Sequence, residues 1–403
     1  MTNVLATCSI IAKTALPILE NMLTFSMNVN RDYEDEFGGN MSRGYAPGQT
    51  INIKKPPRYT YRAGRVAVPQ ATVENTIPLT LSQGGCDLSF TSQEITLSLT
   101  KLEDKIAAAI APVANEIDRQ GLQLAHYNTF NALNTTGALP ATQLASVQVL
   151  TDCNRRLDEM AAPRDRRRAL IMGPGLNGAT VAGFSSLFNN STQLNKQYGS
   201  GLLETSYGLT TGMDQNVDTH TNGAATATNI NGANQTGSSI TVVAVAGGTL
   251  TRGTVITLPG CYAVNPQTRN STGVLANFVV TADVAAGATS IPISPAIVTS
   301  GAFQNVSASP TTAQPYVIIG AASTGYNCNV AYHKDAFTLA CVPLWMPEGG
   351  KGVIDVAQET SNGFTIKVTR FYDGVNDNAI TRIDTLFGWA ATYPELSVKY
   401  YSV

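Results

Sequence analysis

The stretch Gly173-Pro-Gly-Leu-Asn-Gly178-Ala179-Thr180 follows an apolar run and has the glycine spacing of a phosphate-binding loop. Such a loop holds phosphates with backbone N–H groups and needs a lysine against the terminal phosphates. Ala179 stands where that lysine belongs, and no adjacent lysine replaces it, so the segment reads as a plain turn. His126, His220 and His333 are the only histidines. None forms a His-x-x-x-His pair or neighbours a cysteine pair, and no Gly-x-Ser-x-Gly elbow occurs, so zinc and serine-hydrolase chemistry have no local support. Asp373-Gly-Val-Asn-Asp-Asn378 resembles the start of a calcium loop, but Val375 occupies the third position and no glutamate stands at the twelfth. A hairpin turn fits better, because Asp and Asn bond local backbone and tolerate left-handed conformations. Arg166, Arg167 and Arg168 could meet nucleic acid. With Asp158, Glu159 and Asp165 close in sequence, a salt-bridged surface is the preferred reading. No catalytic, cofactor-binding or metal-binding residue is assigned.

Composition points the same way. The 403 residues are 43% hydrophobic but only 13% charged, with a net charge of −2. Two or three domains are expected at roughly 150 residues each. So little charge gives weak self-repulsion and suits extensive subunit contacts, while near neutrality argues against a strongly basic DNA-coating protein. The six cysteines lack metal or redox spacing and read as buried small hydrophobes. No window approaches the roughly 20 apolar residues of a membrane span.

The elements along the chain are distinctive. Ile11, Leu16, Leu19 and Leu23 recur at helical spacing and predict an amphipathic arm whose stripe needs a partner chain. A polar, glycine-rich connector follows over 27–49. Residues 50–81 read as a two-stranded ribbon with a turn near Ala63-Gly64 and a return strand through Val66 and Val68. It carries Lys54, Lys55, Arg58, Arg62 and Arg65 and too few apolar residues for a core of its own. Thr91/Glu94 and Thr100/Glu103 have capping-box spacing. Beyond them Leu102, Ile106, Ile110, Val113, Ile117 and Leu124 define one long helix to about Leu133, bent at Pro112. A second helix is expected over Thr142–Ala161, then a strand over Ala169–Met172 and a further strand-turn-helix unit to Leu203. Between Gln215 and Gly325 the only formal charges are Asp218, Arg252, Arg269 and Asp283. Short β-branched runs there (240–245, 254–258, 275–281, 290–293, 316–319) are separated by turns such as Gly247-Gly248 and Pro259-Gly260. They predict an inserted small β-barrel or sandwich.

Arg31-Asp-Tyr33, Met213-Asp-Gln-Asn-Val-Asp-Thr-His220, Tyr262-Ala-Val-Asn-Pro-Gln-Thr-Arg269, Phe278-Val-Val-Thr-Ala-Asp283 and the block from His333 to Gly388 carry a resemblance. The chain resembles the coat proteins of short-tailed phages of the Salmonella phage P22 type, within the Hong Kong 97-like capsid fold, over nearly its whole length. The resemblance implies an α+β fold: N-terminal arm 1–43, extended loop 44–78, and a peripheral domain with a long spine helix, 79–134 and 345–403. It further implies an axial domain, 135–215 and 326–344, interrupted by an inserted small β-barrel domain, 216–325. The function implied is that of a tailed-phage major capsid protein, with no enzymatic activity and no cofactor. It would self-assemble as pentamers and hexamers of an icosahedral shell around double-stranded DNA. Partners implied are further copies, a scaffolding protein, a portal and a decoration protein, with assembly in the host bacterial cytoplasm and no membrane. Expected inter-subunit contacts are the apolar Leu16, Leu19 and Leu23 and the basic Lys54, Lys55, Arg58, Arg62 and Arg65. A neighbour's Glu103, Asp104 and Glu116 are the candidate acceptors for those cations. The alternative is a tail-tube or surface-binding protein using 216–325.

Overall fold

The computed structural model describes residues 8–33, 50–61, 64–67, 69–72, 75–91, 102–184, 205–347, 353–361 and 363–403. They divide into two compact units. The first comprises the chain up to Ile53, Ile77–Gly121 and Thr338–Ala390; the second comprises Lys54–Thr76, Leu122–Phe337 and Ala391–Val403.

In the first unit, helix α1 (Cys8–Met22) lies against strands β16 (Val353–Ser361) and β17 (Phe364–Asp373). Ile11, Leu16, Leu19 and Leu23 are all buried there. The sequence left this stripe for another chain; the chain's own sheet covers it instead. β17 offers an apolar face, with Phe364, Ile366 and Val368 at period-two spacing. The Cys8 N–H donates to Asp355 Oδ2 at 2.6 Å, and Lys13 pairs with Glu359 at 3.8 Å, fixing the helix on β16. The sheet runs β15 (Phe337–Cys341), β18 (Asn378–Ala391), β17, β16, and β3 (Ser82–Thr91) also pairs with β18. Thr91, expected to cap a helix, is thus the end of a strand, drawn into the ladder by Asn378. Glu94 and Thr100 lie outside the described residues.

Helix α2 (Leu102–Asn128) carries Pro112 within its length. Ile110, Val113 and Ile117 are buried as the stripe requires; the side chains of Leu102 and Ile106 lie outside the described ones. The helix stops five residues short of Leu133. Asn128 Nδ2 donates to the Leu124 carbonyl, and Ala132–Leu133 leave to pair as strand β4. Within the first unit the buried Asp118 accepts the N–H groups of Thr24 (2.8 Å), Phe25 (3.1 Å) and Ser26 (3.0 Å), plus the Ser26 hydroxyl. One carboxylate therefore satisfies the backbone of the chain where it leaves α1. Trp389 Nε1 donates to the Ile117 carbonyl, and its ring centroid lies 5.4 Å from that of Phe25.

Gly121 makes that packing possible. A Cβ there would sit 2.6 Å from Trp389 Cζ2 and 2.8 Å from the Phe25 ring. Gly121→Ala is therefore expected to destabilise by about 1–3 kcal/mol through overpacking, although alanine is the better helix former. An unchanged denaturant midpoint would show that the aromatic pair can yield.

The second unit is built on a mixed sheet in the order β4, β19 (Ser397–Ser402), β14 (Gly325–His333), β5 (Arg168–Met172), β7 (Leu209–Met213), β6 (Thr205–Ser206), with β8 (Thr219–Thr221) also on β14. Helices α3 (Gln143–Glu159) and α4 (Pro174–Phe184) pack on it through Val149, Leu150, Cys153, Leu157 and Leu176 against Leu170, Met172, Ala331 and Val398. Thr142 caps α3, its hydroxyl accepting from the Ala145 N–H. The glycine-rich stretch after β5 is not a loop but the first turn of α4: the Asn177 N–H already reaches the Gly173 carbonyl at 3.0 Å. Pro174, with no N–H to lose, suits the first helical position.

Between β8 and β14 the chain forms a separate antiparallel sheet. Its order is β13 (Val317–Ile318), β10 (Val255–Val264), β11 (Ser271–Val280), β12 (Ser290–Ile297), β9 (Gly237–Thr241). Ile230, Ile240, Val242, Leu258, Phe278, Ile291 and Tyr316 fill its core. Pro259-Gly260, expected to end a strand, lies inside β10, where the register slips between Thr257 and Tyr262. Gly260 takes the positive φ (82°) that a bulge can demand.

The basic ribbon is a ribbon only at its base. β1 (Thr50–Lys55) pairs with β2 (Asn75–Thr80), and the expected return strand at Val66–Val68 is absent from the described residues. Pro56, Pro57 and Pro69 lack the N–H a ladder needs. Side chains hold the loop instead: Gln70 bonds the Thr60 N–H, hydroxyl and carbonyl, and Tyr59 bonds Thr72.

Candidate functional site

The candidate contact residues fall into three groups. Leu16, Leu19 and Leu23 are buried, with 4%, 0% and 5% of their surface exposed, and so are not a free docking stripe. Of the basic residues, Arg58 Nη2 meets Glu395 at 2.9 Å in its own chain, and Lys55 Nζ lies 5.1 Å from the Tyr393 ring centre. Burial lowers the Lys55 pKa, opposed by Glu395. Arg269 holds the Tyr59 carbonyl at 2.9 Å. Lys54 and Arg65 are exposed, and Arg62 lies outside the described residues. Tyr59, Tyr61 and Val66 are exposed on the same loop, Tyr61 at 93%. Glu103 and Asp104 lie in the first turn of α2, with side chains outside the described ones. Glu116 pairs with Arg119 at 2.6 Å, which holds its carboxyl below the usual range. A carboxylate that the structure brings to Arg58 of the basic loop is Glu395, which sequence reasoning passed over.

The triple arginine is absorbed largely by its own surroundings. Arg168 is 2% exposed and donates to Asp158 (2.7 Å), Asn154 (3.0 Å) and the Pro163 and Ala162 carbonyls. Arg164 joins it on Asp158, holding that carboxyl below its usual pKa, and Arg167 lies 3.8 Å from Asp165. His333 Nε2 lies 3.0 Å from Asp165 Oδ1, while its Nδ1 accepts from the Asp335 N–H. The Asp373 turn is likewise closed on itself, its carboxylate accepting from the Val375 N–H and the Asn376 amide.

A buried polar cluster was not foreseen. At the end of α2, His126 Nδ1 donates to Asp218 Oδ2 at 2.6 Å; an ionised carboxylate can only accept, so Nδ1 carries the proton. His126 Nε2 is then bare, buried and without a hydrogen-bond partner. The His220 ring lies 4.8 Å away, its Nε2 3.1 Å from Thr254 Oγ1. Lys399, fully buried on β19, donates to the carbonyls of His126 (2.9 Å) and Gly253 (3.1 Å). Burial pushes His126 down to about 4, His220 to about 3 and Lys399 to about 8. For Asp218 burial acts upward, but the His126 hydrogen bond and charge prevail and hold it below its usual value. The members are up to 273 positions apart, so no spacing could announce them. The one sequence signal was Lys399 in an otherwise buried strand pattern.

The thiols of Cys153, Cys261 and Cys328 are pushed up to about 12 by burial. Among the described residues no group of His, Cys, Asp and Glu converges as metal ligands would, and no helix is long and apolar enough to cross a membrane.

Solved structures supply the fold. A chain from Mycobacterium phage Che8 aligns at TM-score 0.50 and 12% identity, covering 94% of this chain and 90% of that one. A chain from the mature capsid of bacteriophage PhiM1 aligns at TM-score 0.42 and 9% identity, covering 88% and 82%. One from the capsid of cyanophage P-SCSP1u aligns at 0.42 and 9%, covering 89% and 85%. No curated protein matches. The family described as P22 coat protein, gene protein 5, matches residues 88–400, which includes the closing strands, both helices of the mixed sheet and the interposed β-sheet. That match takes in well over half of the sequence: the chain belongs to the P22 coat protein family.

Proposed function

We propose that this chain closes into pentamers and hexamers of a shell around double-stranded DNA, with a scaffolding protein and a portal as assembly partners. The observation that carries the proposal is the family match over 88–400. As a member of that family the protein is a structural major capsid protein, resident in the virion capsid. The exposed loop tip supports contacts between copies: Tyr59, Tyr61 and Val66 are exposed on it. In this reading Arg58 and Glu395, paired here within one chain, are the residues that exchange partners between neighbours. Each exposed pair contributes only about 0–1 kcal/mol, so repetition around the shell supplies the stability.

Negative-stain microscopy of the expressed protein, with and without co-expressed phage factors, tests it. Shells or curved sheets are expected, and a strictly monomeric product under every condition overturns the reading. Arg58→Glu should reduce particle yield, and adding Glu395→Arg should restore it. Equal yields from wild type and both variants would remove this pair from the contact.

A further inference from the structure

The chain leaves the mixed sheet of the second unit at β8 and returns at β14, and these strands pair with each other: Thr221 with Gly325, His220 with Tyr326, Thr219 with Asn327. Residues 222–324 lie between these two strands, and they are also tied to their unit by Asn265 Nδ2 on the Glu159 carbonyl (3.1 Å), Asn277 Nδ2 on the Ala132 carbonyl (3.4 Å) and Arg269 on the Tyr59 carbonyl. A further attachment is the loop at Gly253, whose carbonyl receives the Lys399 ammonium. Gly253 has φ 89°, and a Cβ there would lie 2.7 Å from His126 Nε2, so the loop backbone is pressed against the bare nitrogen. The apolar part of the junction brings Val255, Val279 and Ile319 against Phe130, Ala132, Tyr326, Cys328 and Tyr401, and Met160 joins the core of the interposed sheet.

We propose that the His126–Asp218–His220–Lys399 cluster is an acid-releasable latch holding residues 222–324 onto the mixed sheet. A proton added at His126 Nε2 creates a buried donor that faces backbone and has no acceptor. It also creates a cation beside the Lys399 ammonium. A proton on His220 adds a second charge 4.8 Å away, where burial opposes it although the Asn222 side chain offers a hydrogen bond. The groups around the two rings come from every adjoining element. They are Tyr127 on α2 with Arg252 stacked on it at 4.2 Å, Asp218 and Asn222 flanking β8, Thr254 on the loop, Cys328 on β14, and Lys399 and Tyr401 on β19. Asp218 is the single carboxylate among them and already serves His126. Lifting the Gly253 loop lets both rings reach water and removes the conflict.

The sign follows from the direction of each shift. Both histidines are held below 6.5, to about 4 and about 3, with burial as the leading cause. The latched state therefore binds fewer protons than the released one at mildly acid pH. Its stabilisation is complete above pH 6.5 and is lost as pH falls towards those values. Lys399, held near 8, stays charged throughout this window and does not titrate in it.

Hydrogen exchange on the full chain, corrected for intrinsic rates, tests the latch between pH 7.5 and 5. Opening of β10 and β11 should rise by roughly thirty-fold per histidine between pH 7.5 and 5, while β5 and α3 of the mixed sheet keep their protection. Lys399→Met should move the onset to lower pH, and His220→Gln should make the rise shallower. Loss of protection in both sets together, or a rise in β10 and β11 with the same slope in His220→Gln as in wild type, overturns the proposal. The wild-type comparison decides the matter alone should a variant fail to fold.

Discussion

Asp118→Ala should destabilise the first unit by about 3–5 kcal/mol, the range for removing one partner of a buried charged network. The carboxylate is 1% exposed and satisfies three consecutive backbone amides and the Ser26 hydroxyl. Charge-assisted bonds of this kind contribute about 1.5–3 kcal/mol each but do not add, because they share one acceptor group. Alanine leaves three amides without that acceptor, at the point where the arm joins the rest of its unit. Asp118→Asn keeps an acceptor oxygen and should fall between the two. Urea unfolding gives the magnitude, and proteolysis near residues 23–30 should appear before global unfolding. A loss under about 1 kcal/mol for the alanine variant would show that the arm is held by α1 packing alone.

Arg168→Ala is the second large expected effect, again about 3–5 kcal/mol. Its guanidinium fills a fork of four acceptors and closes the turn in which Ala161 takes a left-handed φ of 59°. Truncation orphans the Ala162 and Pro163 carbonyls and leaves Asp158 to Arg164 at the surface. Arg168→Lys restores charge without the planar fork, so it should recover only part of the loss. Thermal denaturation of the three proteins ranks them; equal stability of the alanine variant and wild type would mean that water replaces the fork. The neighbouring Arg167, exposed and only loosely paired, should tolerate alanine and serves as the internal control.

What the sequence disclosed depended on the range of the force responsible. Helical periodicity placed α2 and α3, because that signal is local. The β-branched runs between Gln215 and Gly325 located β10, β11 and β12, but the turn at Pro259-Gly260 proved to be a bulge. A bulge and a turn ask for the same residues and differ only in the strand alongside. Amphipathicity showed that Leu16, Leu19 and Leu23 must be covered but was silent on what covers them, and β16 and β17 lie some 330 positions away. The same distance hid Glu395 from Arg58 and Lys399 from His126. Buried charge is set by whole-chain topology, so the polar cluster could be noticed only as an odd lysine in a strand.

The interposed sheet spends its few formal charges inward or locally. Asp218 is committed to His126, Arg269 to the Tyr59 carbonyl, Arg252 to the Tyr127 ring, and Asp283 to the Arg252 backbone. Its threonine- and asparagine-rich face therefore generates almost no long-range field for counter-ions to screen. Contacts made through that face would be indifferent to ionic strength. Those made through the basic loop would weaken as salt rises, so a salt titration of intact particles would separate the two kinds of seam.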